Sequence, residues 1–324
     1  MSLSPLNQPF KIGNLQSRNA VALAPMAGLT DVPFREVAWS LGAGYMVSEM
    51  VGSQPQLWDT GKSRQRRVPV RGVTPVAVQI AGTDPAAMAE AARRHVDDGV
   101  EVVDINFGCP AKKVCKKAAG SALLGNLPLI GEIVHAVSSA VPVPITAKTR
   151  TGLEPGDGLG IAAARLAAEA GAKLIVMHGR SRACRFKGAA EYASVAALKA
   201  ALPVPVLVNG DINSLQQAKL ALRQTGADGI MIGRGAIGQP WLLRELQGGA
   251  PLSLAQKWGI ILDHVERMHE FYGEFSGLRI ARKHISAYLR GFNLNARDAL
   301  AVDSAQAQLD WLRWSADMAL RNAS

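Results

Sequence analysis

The chain has 324 residues, 48% of them hydrophobic but only 5% aromatic, so one large domain, or one large and one small, can form around aliphatic side chains. Three cysteines (Cys109, Cys115 and Cys184) exclude a disulfide framework, and no pair has the tight spacing of a zinc site, so no metal is expected. A formal net charge of +10 suggests an anionic partner, without choosing between nucleic acid and a membrane surface.

The opening MSLSPLNQPFKIG carries no signal-peptide pattern, and nothing approaches the roughly 20 apolar residues of a membrane helix. A soluble, cytoplasmic protein with no membrane contact is expected, and a monomer. Short apolar runs then recur in order: AVALAPMAG, GYMVSEM, PVAVQIAG, VEVVDINFGCP, PVPITAKTR, KLIVMHGR, VPVLVNGD and GIMIGRG. Helical patterns lie between most of them. In TDPAAMAEAARRHVDDG, Thr83 or Asp84 can cap, Pro85 suits the first turn and Gly99 ends the helix; NSLQQAKLALRQTGAD repeats the scheme.

Continuous apolar strands are buried on both faces, as in parallel sheets. Eight strand–helix units predict an α/β fold, a (β/α)8 TIM barrel, over residues 1–247, with an open doubly wound sheet as the alternative. QGGAPLS, from Gln247, reads as a linker. Beyond it AQKWGIILDHVERMHEFYG and GLRIARKHISAYLRGF predict a small all-α domain over residues 248–324.

In such a barrel, chemistry belongs at the C-terminal strand ends. There the sequence places Pro25, Met26, Ala27 and Gly28; Gln79; Asn106 and Cys109; Lys148 and Arg150; His178 and Arg180; Asn209, Gly210 and Asp211; and Gly233, Arg234 and Gly235. Singly, each has an ordinary structural explanation. Together on one face, so many polar side chains are unfavourable unless they line a site. The glycines of the last two loops suit a phosphate. GRGAIG also matches G-x-G-x-x-G, but no second strand and ribose-binding acid follow, so a dinucleotide fold is rejected. Lys148, late on an apolar strand, reads as a fixed positive charge facing a developing anion.

Basic residues cluster without acids in KSRQRRVPVR (Lys62 to Arg71), in Lys112, Lys113, Lys116 and Lys117, and in Arg180, Arg182, Arg185 and Lys187. Together these runs are expected to ring one face of the barrel. In the tail Arg279, Lys283 and Arg290 fall at helical spacing, with Arg282 beside them. With an RNA partner, phosphate contacts follow.

APMAGLTDVPFR, QIAG, DINFGCPAKKV, GSALL, AKTRTG, MHGRSRACRFKGAAEY, VNGDI and GRGAIGQPW resemble the bacterial tRNA-dihydrouridine synthases, and within them the B-type. The resemblance covers all eight units and the helical tail. It implies an FMN enzyme that reduces the C5=C6 bond of a D-loop uridine in tRNA, at position 17 for the B-type, with NADPH as reductant. It also implies flavin contacts from Pro25, Met26, Ala27, Gln79, Lys148, His178, Asn209, Gly210, Asp211, Gly233 and Arg234. Cys109 would be the proton donor and Asn106 would position flavin or uracil. Lys112, Lys116, Arg150, Arg180, Arg182, Arg279, Lys283 and Arg290 are the expected substrate contacts. Cys115 departs from the pattern, in a slot where a polar residue such as Asn is expected. A proton donor must start as the thiol, yet neighbouring lysines favour the thiolate, so the lysines are expected to face RNA phosphates instead. The rivals are a small-molecule FMN-dependent pyrimidine oxidoreductase of the dihydroorotate dehydrogenase type and a non-enzymatic RNA-binding protein on the same barrel.

Overall fold

The computed structural model describes residues 5–54, 58 and 60–322, without the Pro5 and Lys62 side chains. Eight parallel strand positions close into a barrel. Strand one is Val21–Leu23, three Ala77–Ala81, four Val102–Asn106, five Ile145–Arg150, six Ala172–His178, seven Val206–Asn209 and eight Gly229–Ile232. Strand two is broken into Tyr45–Met46 and Val51–Gly52. The first piece pairs with strand one and the second with strand three, while a Val47–Ala77 bridge and strand one's pairing with strand eight complete the ring.

Side chains alternate along each strand. Outward positions such as Val21, Leu23, Val103, Ile105, Val206 and Val208 join the surrounding helices in one apolar core. Inward positions form a second core of small and aliphatic residues. Ile12 and Leu15, from the antiparallel pair Lys11–Ile12 and Leu15–Gln16, and Phe10 just before it plug the N-terminal end of that interior. Higher up, the inward positions turn polar: Gln79, Asp104, Asn106, Thr146, Lys148, His178 and Asn209. The apolar outer face and the polar upper interior share the same strands.

The helices start and stop as their caps dictate. Asp84 accepts from the Ala87 N–H (2.7 Å) ahead of Pro85–Asp97, and Ser214 caps Leu215–Thr225, which ends on left-handed Gly226. After strand eight the long helices Leu254–Tyr272, Glu274–Gly291 and Ala305–Arg321 assemble around Trp258, Ile261, Ile285, Tyr288 and Leu312. Ser253 and Gln256 form a reciprocal capping box on the first of them.

This helical unit is keyed to the barrel through a buried polar seam. The Tyr272 hydroxyl donates to Asp31 (3.0 Å), which also caps the helix Val32–Ser40. His264 and His284 lie against Phe34 of that helix, at 5.5 and 5.1 Å between ring centroids. Burial holds both imidazoles neutral, pushing His284 down to about 4, and raises Asp31 to about 6. None of the described helices is long and apolar enough to cross a membrane.

Candidate active site

At the C-terminal strand ends the chain encloses a cavity of about 620 Å3. Every flavin-contact candidate named above lines it, from Pro25, Met26 and Ala27 through Gln79, Lys148 and His178 to Asn209, Gly210, Asp211, Gly233 and Arg234. Asn106, Cys109 and Arg150 line it as well. Residues separated by two hundred positions in sequence thus share one wall, because parallel strands deliver all their C-terminal ends to one side.

A chain of hydrogen bonds fixes the Cys109 loop. Asp104, buried inside strand four, accepts from Thr146 Oγ1 (2.5 Å) and from Gln79 Nε2 (2.7 Å). Gln79 Oε1 then accepts from Asn106 Nδ2 (2.8 Å), which turns Asn106 Oδ1 toward the loop. That oxygen accepts the backbone N–H groups of Gly108 (3.1 Å) and Cys109 (2.9 Å). The Cys109 carbonyl is held in turn by Ser121 Oγ (2.9 Å) and, more weakly, by the Cys115 thiol (3.6 Å). Cys115 thus makes a polar contact of its own from that slot.

Burial pushes the Cys109 thiol above its ordinary pKa, against the opposing pull of the Ala111 N–H, Arg150 and Lys148. The side chains of Lys112, Lys113, Lys116 and Lys117 all point to solvent. The crowding of positive charge seen in the sequence is therefore separate from the sulfur.

Lys148 donates to Asn209 Oδ1 (3.0 Å), and Asn209 Nδ2 donates to the Met231 carbonyl (2.7 Å), tying strands five, seven and eight. Burial, with Arg150 nearby, lowers Lys148 to about 8, so its charge is retained at neutral pH. His178 is lowered to about 2, by burial first and then by the cations Lys148, Arg150, Arg180 and Arg234. It enters any reaction as a neutral imidazole.

The loops after strands seven and eight form the far end. Gly210 has φ +130°, and a Cβ there would stand 2.8 Å from the Ala190 Cβ and 3.1 Å from the His178 ring. Asp211 follows in the left-handed region at φ 51°, held by Arg180 (2.6 Å) and the Ala190 N–H (2.7 Å). Arg234 lies 3.7 Å from Asp211, with its side chain 54% exposed.

The expected substrate contacts fall into buried and exposed sets. Arg180 is buried, and its guanidinium faces inward, donating to Asp211 and to the carbonyls of Lys187 (3.2 Å) and Gly188 (2.5 Å). Arg150 is also buried, donating to the carbonyls of Gly108 (2.7 Å), Ser181 (3.0 Å) and Arg185 (2.9 Å). It braces the Cys109 loop against the loop after strand six. In the run from Lys62 to Arg71, Arg66 pairs with Glu49 (3.5 Å), and Arg67 pairs with Asp98 (3.5 Å) and covers the Trp58 ring. The run thus does not present all its charge to one face; Arg64 and Arg71 remain exposed, and the Lys62 side chain lies outside the described residues. Arg182 is half-buried, while Lys112, Lys116, Arg279, Lys283 and Arg290 are exposed.

Sequence reading missed Asp104, Glu49 and Phe186. Glu49 accepts from the Gly28 N–H (2.5 Å) and holds the first loop. Phe186 lines the cavity although 52% exposed, with the Arg150 and Arg234 guanidinium carbons 5.5 and 4.9 Å from its ring centroid. An aromatic inside the acid-free run ACRFKG was the available signal for it.

Residues 22–317 match the family model described as dihydrouridine synthase (Dus). The chain belongs to the dihydrouridine synthase family. It is therefore an oxidoreductase, and the family accounts for both barrel and helical tail, since the match runs through both. Curated relatives named tRNA-dihydrouridine synthase B include one from Vibrio vulnificus (strain CMCP6), 48% identical over 94% of this chain and 97% of its own length. Another, from Pseudomonas aeruginosa, is 49% identical over 86% of each chain. Among solved structures, histamine dehydrogenase from Rhizobium sp. 4-9 matches with a TM-score of 0.55 at 14% identity, over 81% of this chain and 51% of that one. This chain thus spans about half of that structure, and the likeness is one of fold: the TIM barrel expected of this dihydrouridine synthase family member.

Proposed function

We propose that the chain is an FMN-dependent tRNA-dihydrouridine synthase, reduced by NADPH, that saturates the C5=C6 bond of a D-loop uridine. Position 17 is the target suggested by the B-type likeness. The observation that carries the proposal is the convergence of Cys109, Lys148 and the glycine loops on one cavity.

The cavity residues fit FMN. At one end, Gly210, Gly233 and Arg234 offer close backbone approach and a cation, suited to a phosphate. In the middle, Gln79, Asn106 and Lys148 suit the polar edge of a flavin ring, and Ala24, Met26 and Met231 supply an apolar wall. When bound, FMN supplies the hydride that C6 of the uracil receives.

The protein's own residues do the rest. Lys148, held by Asn209, provides a fixed positive charge beside the ring edge where negative charge gathers. Cys109, kept protonated by burial, gives its proton to C5. The thiolate left behind is stabilised by Arg150 and Lys148 until solvent returns the proton. Asn106 aims the loop through its two backbone contacts. The target base must leave its stack to reach the cavity, and a loop uridine does so most readily. Lys112 and Lys116 stand exposed beside Cys109, where the RNA backbone would pass.

The test is optical. Purified protein should be yellow, bleach with NADPH, and recolour on adding unmodified tRNA but not free pyrimidines. A colourless protein, or recolouring by free pyrimidines, refutes the proposal. Cys109→Ala should keep the colour and bleach, but lose about 10²- to 10⁴-fold in the rate of dihydrouridine formation, the usual weight of a general acid.

A further inference from the structure

We propose that Phe275 is a stacking platform for an unpaired base of the RNA substrate, on the helical tail and apart from the uridine that enters the barrel. The inference rests on the tRNA reading above and deepens it.

The helix Glu274–Gly291 buries Leu278, Ala281, His284, Ile285, Tyr288 and Leu289 on one side. Phe275, Arg279, Lys283 and Arg290 share another side, since steps of four, four and seven keep them within about a quarter of a turn. All four are exposed, and from Phe275 to Gly291 the helix carries four Lys or Arg and no acid. Phe275 is 73% exposed, more than any other large hydrophobic among the described residues. A ring so placed adds almost nothing to the core.

Two contacts orient this stripe. The Arg279 guanidinium carbon lies 5.2 Å from the Phe275 ring centroid, covering one side of the ring. Further along the stripe, Lys283 Nζ stands 3.1 Å from where a Gly28 Cβ would be. Gly28 follows Ala27, which lines the cavity. The stripe therefore passes the barrel mouth at Lys283, with its aromatic about two helical turns to the N-terminal side of that point.

The shape of the patch selects the partner. Among the described residues Phe275 is the only exposed large hydrophobic on this helix, and its neighbours along the stripe are cations. A protein helix or a bilayer would require a broader apolar face. A polyanion with exposed rings matches it: cations track the backbone and the aromatic takes one base.

The experiment measures tRNA affinity across a series of salt concentrations for wild type, Phe275→Ala, Phe275→Trp and Arg279→Ala. Phe275→Ala should weaken binding about tenfold at every salt concentration, the order of one lost stacked base, and leave the log–log salt slope unchanged. Phe275→Trp should bind like wild type. Arg279→Ala should flatten the slope by about 0.7 to 0.9, as one lost phosphate contact does. Because Phe275 is so exposed, its variants should melt with wild type. Wild-type affinity in Phe275→Ala, or a slope change matching Arg279→Ala, overturns the platform while leaving the tRNA reading intact. Failure of tRNA to recolour the reduced wild-type protein removes the tRNA reading, and the platform with it.

Discussion

The loops after strands four and six look alike in sequence, but only the second turns one of its cations inward; its Arg185 and Lys187 are exposed like the lysines of the first. Each is an acid-free basic run beside a cysteine. After strand four, Lys112, Lys113, Lys116 and Lys117 all reach solvent, around a thiol that is itself partly buried. After strand six, Arg180 turns inward and joins Asp211 and two loop carbonyls, while Arg150 reaches across from strand five to the carbonyls of Ser181 and Arg185. The side-chain chemistry explains the division. A guanidinium presents five donors in a fixed fork, so Arg180 and Arg150 can each satisfy several acceptors from a buried position, and the four exposed lysines make no such set of contacts. Positive charge in a sequence therefore indicates a partner only once its direction is known.

Two variants test that contrast. Arg180→Ala should have the larger effect. It removes the buried partner of Asp211 and unties the loop, and we expect a loss on the order of 3 kcal/mol in urea unfolding, the lower end for a broken buried pair because Asp211 is a third exposed. Flavin retention on gel filtration should fall with it, while the salt slope of tRNA binding stays unchanged. If stability holds and the slope flattens instead, Arg180 is an RNA contact after all. The smaller effect belongs to Lys112→Ala with Lys116→Ala. Both side chains are exposed, so the melting temperature should not move, but the salt slope should flatten by about 0.7 to 0.9 per lysine removed. An unchanged slope would show that these lysines are only solvated.

Much of the fold was legible because it rests on local rules. The strand runs, the Asp84 and Ser214 caps and the Gly226 stop are short-range signals, and parallel strands then carry their ends to one face without further instruction. The break in strand two was not legible: GYMVSEM reads as one apolar run, and only pairing shows Val47 bridging to strand three before Ser48 to Met50 interrupt the ladder. In the candidate site, residues at strand ends could be named one by one. Their couplings could not. Asp104 sits two positions below Asn106 inside an apolar strand, and only the register of strands three and five brings Gln79 and Thr146 to it from either side. The direction of Arg180 was hidden for the same reason, since its partner Asp211 is thirty-one residues away. Phe275 passed unnoticed because an aromatic in an amphipathic helix is first assigned to the core.

The same contrast resolves how a thiol beside four lysines keeps its proton: burial acts on the sulfur and the lysines do not. The most direct measurement is the alkylation rate of Cys109 against pH, read by peptide mass so that Cys115 and Cys184 are counted apart. It should be made on wild type and on a variant with all four lysines changed to alanine. We predict that Cys109 titrates above the ordinary thiol range in both proteins, with the same midpoint. A midpoint below that range in wild type, rising when the lysines are removed, would contradict the account.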